Sequence, residues 1–502
     1  MTRPSLMWVL WTMTFASSPL WSQRDLDSLD AWVRSMAPAP FVRCGEDAWL
    51  KELERAREAW DEAKPVEKLR VTNRLLRTLE DSHSAISTMH WVWDVEKRRG
   101  TIPLRWAIEG RALWVMDSGV ERLPSEVRVL ALNGIPAEDC VAAALDLAPQ
   151  EGQSTVATAR AGAHNVTCWV LEQSQSDTLH VDWLDPQTML ARTSTTVGVP
   201  LRKAAKAWGG ISTRRPVVDW TFPDGTGISG WDDRRKRRES RRLAGTGHAE
   251  KVRTTWPGVA TLKISSFSDG GWGKYHRRLW RGFFLLEQWN VPLVIDLRSN
   301  AGGQSPRMES LWRHIGQEPL TLPYALVAKQ SPATLAMHHK VYRGLRKRWV
   351  NKNRHRSEEA AYIYDMANLA LGEIDTLTFR KKPVAAYHQK GPMALLMDGE
   401  SASATVSFVG AFQATTRGPV IGEACMGPAQ GTMGNPFLVL LPESGIHVSL
   451  STAMYMAQPT DDWAASKTIQ PDFPVGTMWR STSGLEEAII LWKEVATQTP
   501  KR

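Results

Sequence analysis

Residues 393–412 constrain this chain more than any other stretch. Met393-Ala394-Leu395-Leu396-Met397 is an apolar run of strand length, Gly399-Glu400-Ser401-Ala402-Ser403-Ala404-Thr405 is a small, bendable turn, and Val406, Phe408, Val409 and Phe412 then recur at helical spacing. An apolar strand passing through a short turn into a helix belongs to a layered α/β structure. The turn sets its serines at a strand-to-helix junction, where free backbone N–H groups and the positive helix end favour an oxyanion beside a serine oxygen. A serine in that position is a candidate nucleophile.

The alternation of strand and helix extends upstream. Val259 to Ile264 reads as a strand, Trp272 to Trp289 as an amphipathic helix, and Val291 to Leu297 as a second buried strand. Nearer the N-terminus, Trp49, Leu53, Ala56 and Trp60 mark one helical stripe, and Leu69, Leu76 and Leu79 mark another after Pro65. Continuing that second face reaches His83 in Leu79-Glu80-Asp81-Ser82-His83-Ser84, a polar cluster at a helix end. On the residues alone His83 is either a satisfied core or capping histidine or a catalyst. Between residues 101 and 200 the pattern changes to short β-like runs, Ala112 to Met116 and Val127 to Gly134, with an Asn133-Gly134 turn and a helical Ala137 to Leu147. Phe437 to Leu441 and Ile446 to Leu450 read as a hairpin.

The 502 residues suffice for about two to four domains around a large core. Residues 1–23, with Arg3, an apolar run from Leu6 to Ala16 and small residues beyond it, read as a secretory signal; no later apolar run is long enough to span a bilayer. The remaining divisions are a helical region over 24–95, a β module over 96–200, a basic linker or insertion over 201–255, an α/β domain over 256–480 with a helical insertion at 330–380, and a helix or tail over 481–502. Cys44, Cys140, Cys168 and Cys425 lack metal-type spacing, which argues against a zinc site; export would permit a Cys140–Cys168 bridge, and four free thiols are the alternative. Asn165-Val166-Thr167 matches a glycan acceptor. The net charge of +9 and the run from Arg234 to Arg242 invite a nucleic-acid reading. That run has no interleaved aromatic platform, so no nucleic-acid partner is expected, and a solvated loop with affinity for an anionic envelope surface fits better.

Three segments follow strands in order: Asp296-Leu297-Arg298-Ser299-Asn300-Ala301-Gly302-Gly303, then Ser401 to Thr405, then Ile421-Gly422-Glu423. In this order they resemble the C-terminal processing (tail-specific) peptidases, whose patterns look like D-L-R-x-N-x-G-G, S-A-S-A-[ST] and G-E-x-x-x-G. Val129 to Pro136 resembles the family's N-G-containing segment in its PDZ-like module, Leu441 to Gly445 its late L-P-x-x-G hairpin, and Gln470-Pro471-Asp472 its C-terminal Pro-Asp element; together these span roughly residues 70–480.

The resemblance implies a ClpP/crotonase-like β-β-α catalytic core, an N-terminal helical region and a PDZ-like β module. It implies a serine endopeptidase with Ser403 as nucleophile and Ser401 as the nearby rival. Gly302 or Gly303, together with the N–H of Ala404, would hold the oxyanion. The G-K-G-T pattern of the best-known branch, which carries a lysine base, is replaced here by Gly427-Pro428-Ala429-Gln430-Gly431-Thr432. Ser82-His83 is similar instead to the Ser-His pair of the tricorn-like branch, which makes Ser82 and His83 catalytic and His83 the general base. That branch also uses a glutamate before the Pro-Asp element; Ala465 stands there, leaving Asp461 or Asp462 as substitutes. Arg298 and Glu423 read as structural charges that need partners. No metal or organic cofactor is expected; the substrates would be exported proteins or peptides, in the periplasm or outside the cell. The alternative is an inactive peptidase-fold protein that binds peptides or an apolar ligand.

Overall fold

Every residue of the Leu293–Asp296 and Met393–Met397 strands is buried, because both faces of their sheet are covered. Side chains alternate across a strand. Leu293, Ile295, Met393, Leu395 and Met397 enter one core with Leu279, Phe283, Trp312 and Phe408, and Val294, Ala394 and Leu396 enter a second with Leu485, Ile489 and Trp492. The helices Trp272–Trp289, Ser305–Ile315 and Ala404–Ala414 supply the first cover and Ser483–Gln498 the second. The structure, a computed structural model, describes residues 24–201, 203–204, 218–223, 227–228, 256, 258–268, 271–316, 324–335, 366, 368–379, 383–415, 417–428, 431–456, 462, 464, 467–475 and 483–498.

Ala260–Ile264, Leu293–Asp296, Met393–Met397, Val420–Gly422 and Phe473–Pro474 lie side by side and parallel, in chain order. Parallel neighbours need crossovers, two of them carried by the Trp272–Trp289 and Ala404–Ala414 helices, and all their C-terminal ends open at one edge of the sheet. The fold class is α/β, as expected. Val218–Thr221 adds an antiparallel strand against Ala260–Ile264, so part of the expected 201–255 linker is built into this sheet.

The helices Arg24–Met36, Glu46–Trp60 and Pro65–Arg77 share a separate core with a six-stranded sheet. That sheet contains Leu104–Glu109, Ala112–Ser118, Val127–Leu132, Thr178–Leu184 and Ala191–Val197, with Ile135–Pro136 paired to Val127–Leu132. Positive φ at both Asn133 and Gly134 makes the tight hairpin between them. The helices Ala137–Asp146, Thr155–Ala163 and Val166–Gln173 belong to this unit. A four-stranded antiparallel sheet holds Ile374–Thr378, Ala325–Lys329, Ala453–Met456 and Thr432–Gly434, so Ile374–Thr378 is a strand within the 330–380 stretch expected to be a helical insertion. Phe437–Leu440 and His447–Leu450 form the expected hairpin, and Ala85–Ile86 joins it as a third strand.

All four cysteines are free thiols, so the Cys140–Cys168 bridge does not form. Asn165 is only 1% exposed, which closes it to a glycan in the folded chain. Among the described residues no helix is long and apolar enough to cross a membrane. The signal segment 1–23 and the basic run 234–242 lie outside the described residues.

Candidate active site

The registered pair Asp296 and Leu396 delivers two loops to the same sheet edge. They are sewn together by Ser401, which is fully buried: its Oγ donates to the Leu297 carbonyl at 3.0 Å and accepts from the Asp398 N–H at 3.1 Å. Asp398 Oδ1 accepts from Ser299 N and Glu400 N, and Ala402 N–H donates to the Asn300 carbonyl. Ser401 is thereby a structural hinge pin, and Ser403 is left partly exposed at the N-cap of Ala404–Ala414. Its backbone has φ 55° and ψ −124°. A non-glycine residue there costs roughly 1–3 kcal/mol and persists only where its surroundings enforce it. Gly302 is part of that enforcement. A Cβ on Gly302 would sit 2.6 Å from the Ala402 carbonyl oxygen and 2.8 Å from Ala404 N, and its φ of +88° disfavours side chains as well.

The Gly302 N–H donates to Asn300 Oδ1 at 2.9 Å, which removes that amide from the expected oxyanion donors. The amides of Gly303 and Ala404 have no acceptor among the described residues.

His83 comes from the opposite side. The Pro65–Arg77 helix ends, Glu80 takes a left-handed φ of 52°, and residues 81–84 close a turn through Ser84 N to the Asp81 carbonyl. Ala85 and Ile86 then pair with Ser449 and Val448. His83 Nε2 lies 3.0 Å from Ser403 Oγ. On the far side of the ring, Nδ1 faces Asp81 Oδ1 at 3.6 Å, a charge contact longer than a hydrogen bond. Asp81 is 5% exposed; Oδ1 accepts from His83 N–H at 3.0 Å and Oδ2 from Ser84 Oγ at 2.6 Å. Burial disfavours a charged imidazole, but the Asp81 carboxylate, with a smaller push from Glu151, outweighs it and holds His83 above its usual value. Burial likewise works against the Asp81 carboxylate, but His83, Ser451 and Ser84 keep it below the ordinary range.

The carboxylate that faces the His83 ring is Asp81, two positions earlier in the chain. Asp462 is exposed and caps Ala464 N, while Asp461 and Ala465 lie outside the described residues. Ser82 turns its hydroxyl to Glu151 Oε2 at 2.7 Å. Arg298 forks onto Asp296 with two 2.8 Å bonds, and Glu423 pairs with Arg160 at 2.7 Å, so both expected structural charges have partners.

Asp81, His83 and Glu151 place ligand atoms within 4.8 Å of one another, the one metal-type grouping among the described residues. Their donors are already engaged: Asp81 by His83 N–H and Ser84, and Glu151 by Ser82 and the Arg43 guanidinium. The cation in this cluster is Arg43, so the donor set fits a hydrogen-bonded network better than a metal centre.

No curated protein matches this sequence. Among solved structures, a crystal structure of a CPAF mutant aligns over 95% of this chain and 97% of its own length, with a TM-score of 0.61 at 12% identity. Mature CPAF aligns over 95% and 98%, with a TM-score of 0.58 at 13% identity. Both share the fold. Photosystem II D1 C-terminal processing protease aligns over 92% of this chain and 95% of its own length, with a TM-score of 0.40 at 13% identity. Residues 258–475, which contain Gly302, Ser403 and the parallel strands that present them, match the model of peptidase family S41.

Proposed function

We propose that the protein is a serine endopeptidase in which Ser403 attacks a peptide carbonyl and His83 is the general base and acid. The observation that carries this reading is the 3.0 Å approach of His83 Nε2 to Ser403 Oγ. With its proton on Nδ1, facing Asp81, the neutral ring has a lone pair on Nε2 to accept the serine proton. As the Oγ–carbon bond forms, that proton moves to Nε2 and negative charge moves to the carbonyl oxygen, where the Gly303 and Ala404 amides stabilise it. Collapse returns the electron pair, breaks the C–N bond and passes the proton from Nε2 to the leaving amine. Water then hydrolyses the acyl-enzyme by the same route in reverse.

The lysine-free Gly427–Thr432 stretch and the Ser82-His83 pair favour the tricorn-like branch. We read the parallel-stranded unit as a ClpP/crotonase-like core and the six-stranded unit as PDZ-like. Such a module would hold a peptide tail as an added strand and direct cleavage toward protein C-termini. The apolar segment in residues 1–23 supports export, hence periplasmic or extracellular protein and peptide substrates.

The test is labelling with a serine-directed fluorophosphonate, together with hydrolysis of a fluorogenic peptide library, on wild type, Ser403→Ala and His83→Ala. Labelling and turnover by wild type alone support the enzyme. Folded wild type that neither labels nor hydrolyses indicates an inactive peptide-binding protein.

A further inference from the structure

We propose that Glu151, carried by the six-stranded unit, is a positioning residue that holds His83 against Ser403, with Arg43 holding Glu151 in turn. This inference rests on the peptidase reading above. Glu151 is 2% exposed, and each of its oxygens is engaged. Oε2 accepts both the N–H and the Oγ–H of Ser82, at 2.8 and 2.7 Å, and Oε1 accepts from Arg43 at 2.7 Å. Arg43 also donates to the carbonyl of Glu80 at 2.6 Å, and Gly152 N–H reaches the same carbonyl at 3.0 Å. Glu80 is the left-handed residue that turns the chain toward the histidine.

These bonds explain how a strained turn keeps its shape. A non-glycine residue at positive φ relaxes unless something external fixes it. Here Arg43 and Gly152 grip the Glu80 carbonyl and Glu151 grips both donors of Ser82, so the two residues flanking Asp81 are fixed from outside their own segment. His83 follows directly. The same short stretch also reaches the nucleophile side: Ser154 Oγ donates to the Cys425 carbonyl at 2.9 Å, and Met426 N–H donates to the Ser401 carbonyl. Residues 151–154 therefore touch the supports of both reacting groups.

Glu151 differs from a merely structural acid because its charge faces the imidazole. The charged groups around His83 are Asp81 from its own turn, Glu151 from the six-stranded unit and Arg43 from the chain between the first two helices; the two acids favour the imidazolium and Arg43 opposes it. Neutralising Glu151 while keeping its shape shifts the balance toward neutral imidazole.

The experiment compares wild type, Ser403→Ala and Glu151→Gln by peptide hydrolysis against pH. It also follows the His83 ring by NMR titration, with His83→Ala assigning the signal. Glu151→Gln is expected to melt below wild type, because buried Arg43 loses its counter-charge, and at a temperature where it stays folded to keep KM and to lose about 10- to 100-fold in kcat, since an ångström of misplacement costs on the order of 10²-fold. The His83 titration midpoint and the acid limb of kcat/KM should both move to lower pH. An unmoved His83 midpoint overturns the proposal whatever the rate does. Unchanged kcat in Glu151→Gln, beside a silent Ser403→Ala, overturns it while leaving the peptidase reading intact. If wild type shows no Ser403-dependent turnover, the peptidase reading fails, and the NMR midpoint alone decides whether Glu151 acts on His83.

Discussion

His83 and Ser403 are 320 positions apart in the chain and 3.0 Å apart in space. The imidazole stands on a turn following the N-terminal helices, the hydroxyl on a turn following a central parallel strand, and neither segment reaches the other's partner by local geometry. Their meeting is a product of tertiary structure, and most of the expected behaviour follows from what holds each side.

Activity should fall on the acid side with a midpoint above the ordinary imidazole value of about 6.5. Burial lowers the His83 pKa, but Asp81 and Glu151 raise it further, and the ring is a base only when neutral. As pH drops through this raised value, the fraction of competent enzyme drops with it. A kcat/KM profile with its acid midpoint at or below about pH 6 would contradict the assignment.

Asp81→Asn should lower kcat by about 10²-fold or more, because the ring loses the carboxylate facing Nδ1 and the imidazolium formed during attack loses its counter-charge. With that charge gone, the acid limb moves to lower pH. Full turnover in this variant, measured beside its melting curve, would remove Asp81 from the mechanism.

Gly302→Ala places a methyl group against the Ala402 carbonyl and Ala404 N, in a backbone region that alanine avoids. About 1–3 kcal/mol of strain is expected to spread into the serine turn. The fluorophosphonate labelling rate should fall at least about tenfold, since misplacing a reacting group by an ångström costs more than this. Wild-type labelling by this variant would show that the two loops do not need their close approach.

Arg160→Met removes the guanidinium that pairs with Glu423, whose side chain is 6% exposed. Removing one partner of such a pair should destabilise the fold by up to about 3 kcal/mol. A lowered denaturation midpoint with an unchanged denaturant slope would confirm it. An unshifted midpoint would mean that Glu423 is satisfied elsewhere.

The strand and helix flanking Ser403 are legible because an unbroken apolar run and a 3.6-residue period announce them directly. His83 is legible through the Ser-His pair and its place in the chain. Glu151 carries no local mark: it is one glutamate in a polar loop, and its importance comes from bonding Ser82 across 69 positions. Asp81 lies inside the cluster that draws attention to His83, yet only the fold of the 81–84 turn shows that the nearest acid faces Nδ1. Val218–Thr221 alternates apolar and polar residues, but four residues in an otherwise polar stretch of sequence are too short a run to announce a strand, and its pairing with Ala260–Ile264 defines it.

Ala85 and Ile86 complete a sheet whose other members, His447–Leu450 and Phe437–Leu440, are made more than three hundred and fifty residues later. A nascent chain therefore holds the histidine turn through Arg43 and Glu151 alone until that hairpin has emerged, well after the serine itself has been synthesised. On the peptidase reading, a chain interrupted before this hairpin carries the serine but lacks the strands against which Ala85 and Ile86 pair.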